Sequence, residues 1–398
     1  MSTFVPPAPT TMLRAAEASA ASSVVPWYLW AVACASTSVI IGGIWDISWH
    51  RTIGRDTFWT PAHLAIYLGG AVAGLSCGWL AIKTTFSGTA EERAGGVSFW
   101  GFRAPLGAWV CIWGSFAMIT SGPFDDWWHN AYGLDVEILS PPHAVLALGI
   151  FGIQIGTMLM ALAWQNNADE RSSGGASAPL LFLFIYAGGM LLVMMATLAT
   201  EYVTFPNDQH GPQFFLVSAG IFPVLLVAIS RSARFRWGAT AAAAVYMSLT
   251  MVMIWILQLF PAQPMLAPIL RQVDHMVPPA FPILLVVPAI AVDLMMHRVP
   301  DDAGRWRRWA TAAGAALVCM IVLAVAQWPF ASFMLTEGAR NAFFAADLWD
   351  YNLAPGDWQY QFWGDPMTFV AARWVVLIAV VSATAGLWWG NWMARVRR

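Results

Sequence analysis

The chain has 398 residues, 59% hydrophobic and only 11% charged, with a mean hydropathy of +0.60 and a formal net charge of -2. Soluble domains carry roughly one-quarter charged residues, so this composition excludes an ordinary soluble globular protein. The charge balance offers no basic footprint, and nucleic acid is not expected as a partner.

Residues 1–24 read as a polar Ala/Ser/Pro tail without the short apolar core and cleavage site of a secretory signal, so the first apolar run is expected to remain as a helix. Apolar runs of about 20 residues, long enough to cross ~30 Å of hydrocarbon, occur at 25–45, 61–83, 104–122, 141–164, 179–201, 213–230, 238–260, 277–296, 309–329 and 367–393. The expected fold is all-α, a polytopic bundle of about ten transmembrane helices in membrane lipid.

Residues 25–165 contain an internal duplication. Asp46, Trp49, His50, Gly54 and Asp56 match Asp125, Trp128, His129, Gly133 and Asp135 at a constant offset of 79 residues, and one inserted residue brings Pro61 and His63 onto Pro141 and His143. The chain has seven histidines, and four of them fall at these matched positions. Each copy reads as helix, ligand-bearing turn, helix, and the connector 84–103 joins them. A polar link, 166–178, leads into a second membrane region, 166–398, with six spans. The loop 330–366 is rich in aromatic residues (Phe343, Phe344, Trp349, Tyr351, Trp358, Tyr360, Trp363) and reads first as interfacial packing and second as a lid.

Alternating the loops between two sides places Arg14, Lys83, Arg93, Arg103, Arg171, Arg231, Arg234, Arg236, Arg298, Arg305, Arg307, Arg308, Arg395, Arg397 and Arg398 together. Arg51, Arg55, Arg271, Arg340 and Arg373 fall on the other side. The positive-inside rule then predicts cytoplasmic termini, and both histidine motifs toward the outer face of a bacterial-type inner membrane.

Asp46 and His50 are four residues apart and share a helix face. Thr60 or Ser140 suits an N-cap and Pro61 or Pro141 the first helical position, which puts His63 or His143 in the first turn of the returning helix. There the helix dipole favours a neutral, ligating imidazole. Two imidazoles and a carboxylate suit copper, iron or zinc, and with open positions this is the usual non-haem Fe(II) set. Metal ligands are therefore expected at Asp46, His50 and His63 and, as a second set, at Asp125, His129 and His143, and ligand chemistry leaves the metal open among copper, iron and zinc at both. Asp56 and Asp135 read as supporting or loop-forming groups, and Arg55 as an ion-pair partner of Asp56. Trp45, Trp49 and Trp128 are expected to wall the site against water. Cys34, Cys77, Cys111 and Cys319 each fall within a span without a CxxC pair and read as packing thiols. Glu201, Tyr202, His210, Asp274 and His275 read singly as loop or helix-end groups, and His297 as interfacial.

Asp46-Ile47-Ser48-Trp49-His50, with Arg55-Asp56-Thr57 and Phe58-Trp59-Thr60-Pro61-Ala62-His63, resembles the signature of the C subunit of the copper membrane monooxygenases, which oxidise methane, ammonia or short hydrocarbons. The resemblance implies copper, and a catalytic role, at Asp46, His50 and His63. The family's second site has an Asn, a His four later and another fourteen after that, which here fall on Asp125, His129 and His143, with Asp in place of Asn. The resemblance covers 25–160. It does not extend to the last 235 residues, and the family's separate subunits with soluble cupredoxin-like domains have no counterpart here, so the chain reads as a divergent or fused relative. It implies a membrane monooxygenase, or a subunit of one, that oxidises a small apolar substrate or ammonia with O2. The partners it implies are a small-molecule substrate with an electron donor or other monooxygenase subunits, and a homo-oligomer is a further candidate. The alternatives are a non-catalytic copper assembly or delivery factor and a non-haem iron membrane oxygenase. A transporter is disfavoured by span centres nearly bare of ionisable groups.

Overall fold

A computed structural model describes residues 25–54, 58–132, 140–171, 177–200, 208–265, 269, 272–298, 303–346, 348 and 366–398. The tail 1–24, Arg55, Asp56, Gly133, Asp135, Glu201, Tyr202, and the loop residues Trp349, Tyr351, Trp358, Tyr360 and Trp363 lie outside these.

The described chain is an all-α bundle. In order it runs α1 (Trp27–Thr52), α2 (Pro61–Phe86), the short α3 (Ala90–Gly95), a hairpin of β1 (Val97–Phe99) and β2 (Phe102–Ala104), then α4 (Leu106–Tyr132), α5 (Pro141–Arg171) and α6 (Ala178–Thr200). It continues with α7 (Pro212–Ser232), α8 (Gly238–Leu257), α9 (Val286–Met296), α10 (Arg305–Met334) and α11 (Phe369–Met393). Among the described residues, eight of these helices are long and apolar enough to span a bilayer: α1, α2, α5 to α8, α10 and α11. Large apolar side chains such as Leu75, Ile321, Val325 and Trp388 lie exposed on the bundle's outside, as expected where lipid replaces water.

Each duplicated hairpin is zipped by glycine. In the first, a Cβ at Gly69 would lie 2.6 Å from the Ala35 carbonyl oxygen, and one at Gly42 would lie 2.8 Å from the Ile66 nitrogen. In the second, Gly114 and Gly149 approach each other's carbonyls to 2.6 Å by the same measure, and Gly107 stands 2.5 Å from that of Gly156. Close backbone approach supplies the van der Waals contact that hydrophobicity cannot provide between helices in lipid. One apolar core then runs from Leu29 through Met118, Phe184 and Phe222 to Val396, so the duplicated region and the second half share it.

Two elements differ from the sequence expectation. The connector 84–103 carries α3, closed by a Thr89/Glu92 capping box, and the β hairpin, whose two-residue turn places Trp100 and Gly101 at φ +47° and +84°. Positive φ at both central residues is what a tight hairpin turn demands. Glu92 accepts hydrogen bonds from the Thr89 amide and from Lys83, which holds its carboxyl below the ordinary range.

The expected span 277–296 is a broken one. Only Val286–Met296 is helical, and 277–283 is extended. Pro278, Pro279 and Pro282 remove three amide donors and forbid a helix over this stretch. Buried side chains of other helices meet the backbone groups at its two ends. Ser48 donates to the Val277 carbonyl at 2.6 Å, and Thr52 accepts from the Val277 amide at 2.7 Å. Tyr246 accepts from Ile283 and Gln327 from Leu284, both at 2.9 Å. Irregular backbone at membrane depth persists where protein satisfies it in this way or where it lines a cavity. At the other end of the break, the buried Asp293 carboxylate accepts from the Ala239 and Thr240 amides and the Thr240 hydroxyl, capping α8.

Candidate metal centre

The end of α1 and the start of α2 build the first site. Asp46 and His50 lie one turn apart on α1, and their Oδ2 and Nε2 atoms are 3.6 Å apart. The Thr60 side chain accepts from the His63 amide at 3.2 Å, and Pro61 opens α2, so His63 occupies the predicted first-turn position. Its Nε2 stands 3.2 Å from Asp46 Oδ1. One ligand atom from each of the three residues falls within 4.8 Å of the others, an arrangement that suits a metal ion.

The second nitrogen of His63 settles its tautomer. Nδ1 lies 2.7 Å from the Phe58 carbonyl oxygen, which can only accept, so Nδ1 carries the proton. In the neutral ring, Nε2 therefore turns a bare lone pair toward Asp46. Asp46 Oδ1 is buried and takes part in no aligned hydrogen bond. A proton on Nε2 or a metal ion held between the two atoms satisfies both. Ligand bonds of 2.0–2.1 Å in tetrahedral geometry put neighbouring donors about 3.4 Å apart, and the two observed separations bracket that value. His50 is exposed and Asp46 and His63 are half-buried, so the site opens to the surroundings.

The second triad starts from the same plan. Asp125 and His129 lie a turn apart on α4, just past the internal Pro123, and Ser140 caps α5 by accepting from the His143 amide at 3.4 Å. The sequence-predicted residues again come together, but differently. His129 Nε2 and His143 Nε2 both approach one oxygen, Asp125 Oδ1, at 3.0 and 3.5 Å. Nδ1 of His143 is buried without a hydrogen bond, where His63 has the Phe58 carbonyl. Asp125 is buried, whereas Asp46 is half-buried. Among the described residues only the first triad meets the three-ligand criterion.

Tyr67 joins the two hairpins. It lies one turn beyond His63 on α2, packs against Phe58 and His63 with ring centroids 5.6 and 6.5 Å away, and sets its hydroxyl against Gly122 of α4. Sequence reasoning passed over Tyr67. The available signal was the i, i+4 spacing from His63, which marks Tyr67 as the next residue on the ligand face.

The other sequence candidates lie elsewhere. Trp45 stacks with Phe260 and Trp128 packs on Tyr132 with the rings tilted by 43°, while Trp49 packs on the main core with its indole nitrogen buried and unbonded. His210 is buried, its Nε2 against the Trp328 carbonyl and the Ser332 hydroxyl, and it ties the turn before α7 to α10. His275 holds the exposed Asp274 carboxylate at 2.5 Å, which lowers the Asp274 pKa. His297 follows α9 at its C-terminus. Cys77, Cys111 and Cys319 are buried and Cys34 is exposed. No family model, no curated protein and no solved structure matches the chain.

Proposed function

We propose that Asp46, His50 and His63 bind copper, and that the protein is a membrane monooxygenase, or a subunit of one, acting on a small apolar substrate or ammonia. The observation that carries the metal reading is the convergence of one ligand atom each from Asp46, His50 and His63 within 4.8 Å of one another. The choice of copper rests on the donor set, since two imidazoles and one carboxylate bind Cu(II) most tightly among the first-row divalent ions, and on the resemblance of Asp46 to His63 to the copper monooxygenase signature. Bound copper would supply activation of O2.

The residues around the triad have definable tasks. Phe58, through its carbonyl, fixes the His63 ring and raises its basicity as a ligand. Asp46 contributes negative charge, and the exposed side of His50 leaves a route for a small molecule. Phe58 and Tyr67 form an apolar wall beside His63, which limits water near the reacting atoms. Under this reading the second triad, Asp125, His129 and His143, takes a further divalent ion or shapes the chamber beside the first. Cytoplasmic termini and outward-facing triads follow from the arginine distribution.

The test is incorporation of label from 18O2 into ammonia-derived or short-alkane products by membranes containing the protein. Activity that is present in the parent and lost in His63→Ala supports the reading. Full copper binding without label incorporation, with an electron donor supplied, would instead favour a copper assembly or delivery role.

A further inference from the structure

A cavity of about 40 Å³ lies beside the broken span, on a different face of α1 from Asp46 and His50. Its polar lining is Arg51 of α1, Thr197 of α6 and Tyr246 and Thr250 of α8, and isoleucine side chains of α1 with Ala280 and Phe281 of the extended leg complete it. A single water needs about 10–15 Å³ on this scale, so the space suits a ligand of three or four heavy atoms.

The lining is one-sided in its chemistry. Arg51 is only partly exposed, and among the described residues its guanidinium makes no ion pair or hydrogen bond. The leg's amides at Val277, Ile283 and Leu284 are each taken by a side chain, but those of Ala280 and Phe281 have no partner among the described residues. Tyr246 accepts from the Ile283 amide and keeps its own proton to donate. Among the described residues, no carboxylate lines the cavity. Unmatched donors and a cationic fork in a sheltered space at a membrane protein's end call for an anion, because a buried charge or amide without a partner is costly.

We infer that this cavity binds a small carboxylate-type monoanion of formate, acetate or bicarbonate size, held by the Arg51 guanidinium and the unpaired amides of the Pro278–Pro282 leg. The planar five-donor fork of arginine matches two carboxylate oxygens side by side, which a spherical halide cannot reproduce. The three prolines make the site, since they unwind the span and expose backbone donors where a continuous helix would have consumed them. The inference is independent of which metal the triads hold.

Titration calorimetry on the full-length protein in detergent tests it, with sodium formate, acetate and bicarbonate compared against sodium chloride at equal ionic strength and pH. The expected result is saturable binding of at least one of the three carboxylate-type anions and none of chloride. Arg51→Gln should weaken it at least tenfold while leaving the bound metal unchanged. Arg51→Lys retains charge and fold but lacks the fork, and should also bind less tightly than the parent, so the inference stays testable if the glutamine variant does not fold. Binding in neither parent nor variants, equal binding of chloride, or unchanged affinity in both Arg51 variants would overturn it.

Discussion

Tyr67 and Gly122 meet where the two duplicated hairpins cross. A Cβ at Gly122 would stand 2.8 Å from the Tyr67 hydroxyl and 3.0 Å from the Phe58 ring. The glycine on the second hairpin thus makes room for the residues that buttress His63 on the first. Each triad belongs to its own hairpin, yet the support is shared.

Gly122→Ala should therefore be read out at the first triad. The added methyl forces Tyr67 and Phe58 to move, at about 1–3 kcal/mol for overpacking, and the shift reaches His63 through the Phe58 carbonyl. The expected outcome is a lower unfolding midpoint together with weaker metal binding at Asp46–His50–His63, although residue 122 touches none of these ligands. Metal titration of the variant checks it, and unchanged affinity with lowered stability would separate the two effects.

Thr60→Ala removes the side chain that caps α2 and accepts from the His63 amide. Loss of an N-cap costs about 0.5–2 kcal/mol. A stability loss in that range is expected by chemical denaturation, with a several-fold drop in metal affinity because His63 sits in the turn that frays.

Thr52→Val probes the broken span. The variant keeps the shape of the side chain but leaves the Val277 amide, buried against α1, without its acceptor. An unsatisfied buried amide costs about 1–3 kcal/mol, so the variant should lose stability by that amount, and hydrogen exchange at Val277 should quicken. Unchanged exchange there would mean that the leg is held by its prolines and packing alone.

Asp125→Asn addresses the unequal triads. Both imidazoles of the second triad converge on Asp125 Oδ1, and a carboxylate there adds charge that favours a divalent ion, whereas an amide adds none. The variant is expected to lose affinity for Zn(II) or Cu(II) more than for Cu(I) in titrations with the first triad intact. Equal affinities for both oxidation states would make Asp125 a structural residue.

Much of this site was legible in the sequence, because its logic is local. The i, i+4 spacing of Asp46 and His50, the Thr60-Pro61 start of α2 and the repeat of both around Asp125 depend on helix geometry within one hairpin. The ten apolar runs likewise map onto ten helical segments. Pro278, Pro279 and Pro282 were visible, but what makes an extended leg tolerable is long-range: Thr52, Tyr246 and Gln327 come from three other helices. The hairpin at 97–104 was missed because its strands are three residues long and its turn places the bulky Trp100 at positive φ. Tyr67 was missed because its neighbour, Gly122, lies on another hairpin, and no periodicity within one helix reveals a contact between two.

The central claim is that Asp46, His50 and His63 hold copper, and copper stoichiometry with X-ray absorption on protein purified from membranes tests it most directly. The account predicts tightly bound copper with nitrogen and oxygen ligands at roughly 2.0 Å in the parent. It predicts loss of most of that copper in both His50→Ala and His63→Ala, since removing a direct ligand should exceed the 10–100-fold that a supporting residue costs. Copper content and absorption spectra unchanged in both variants would contradict it, and iron in place of copper would move the protein to the non-haem iron oxygenases.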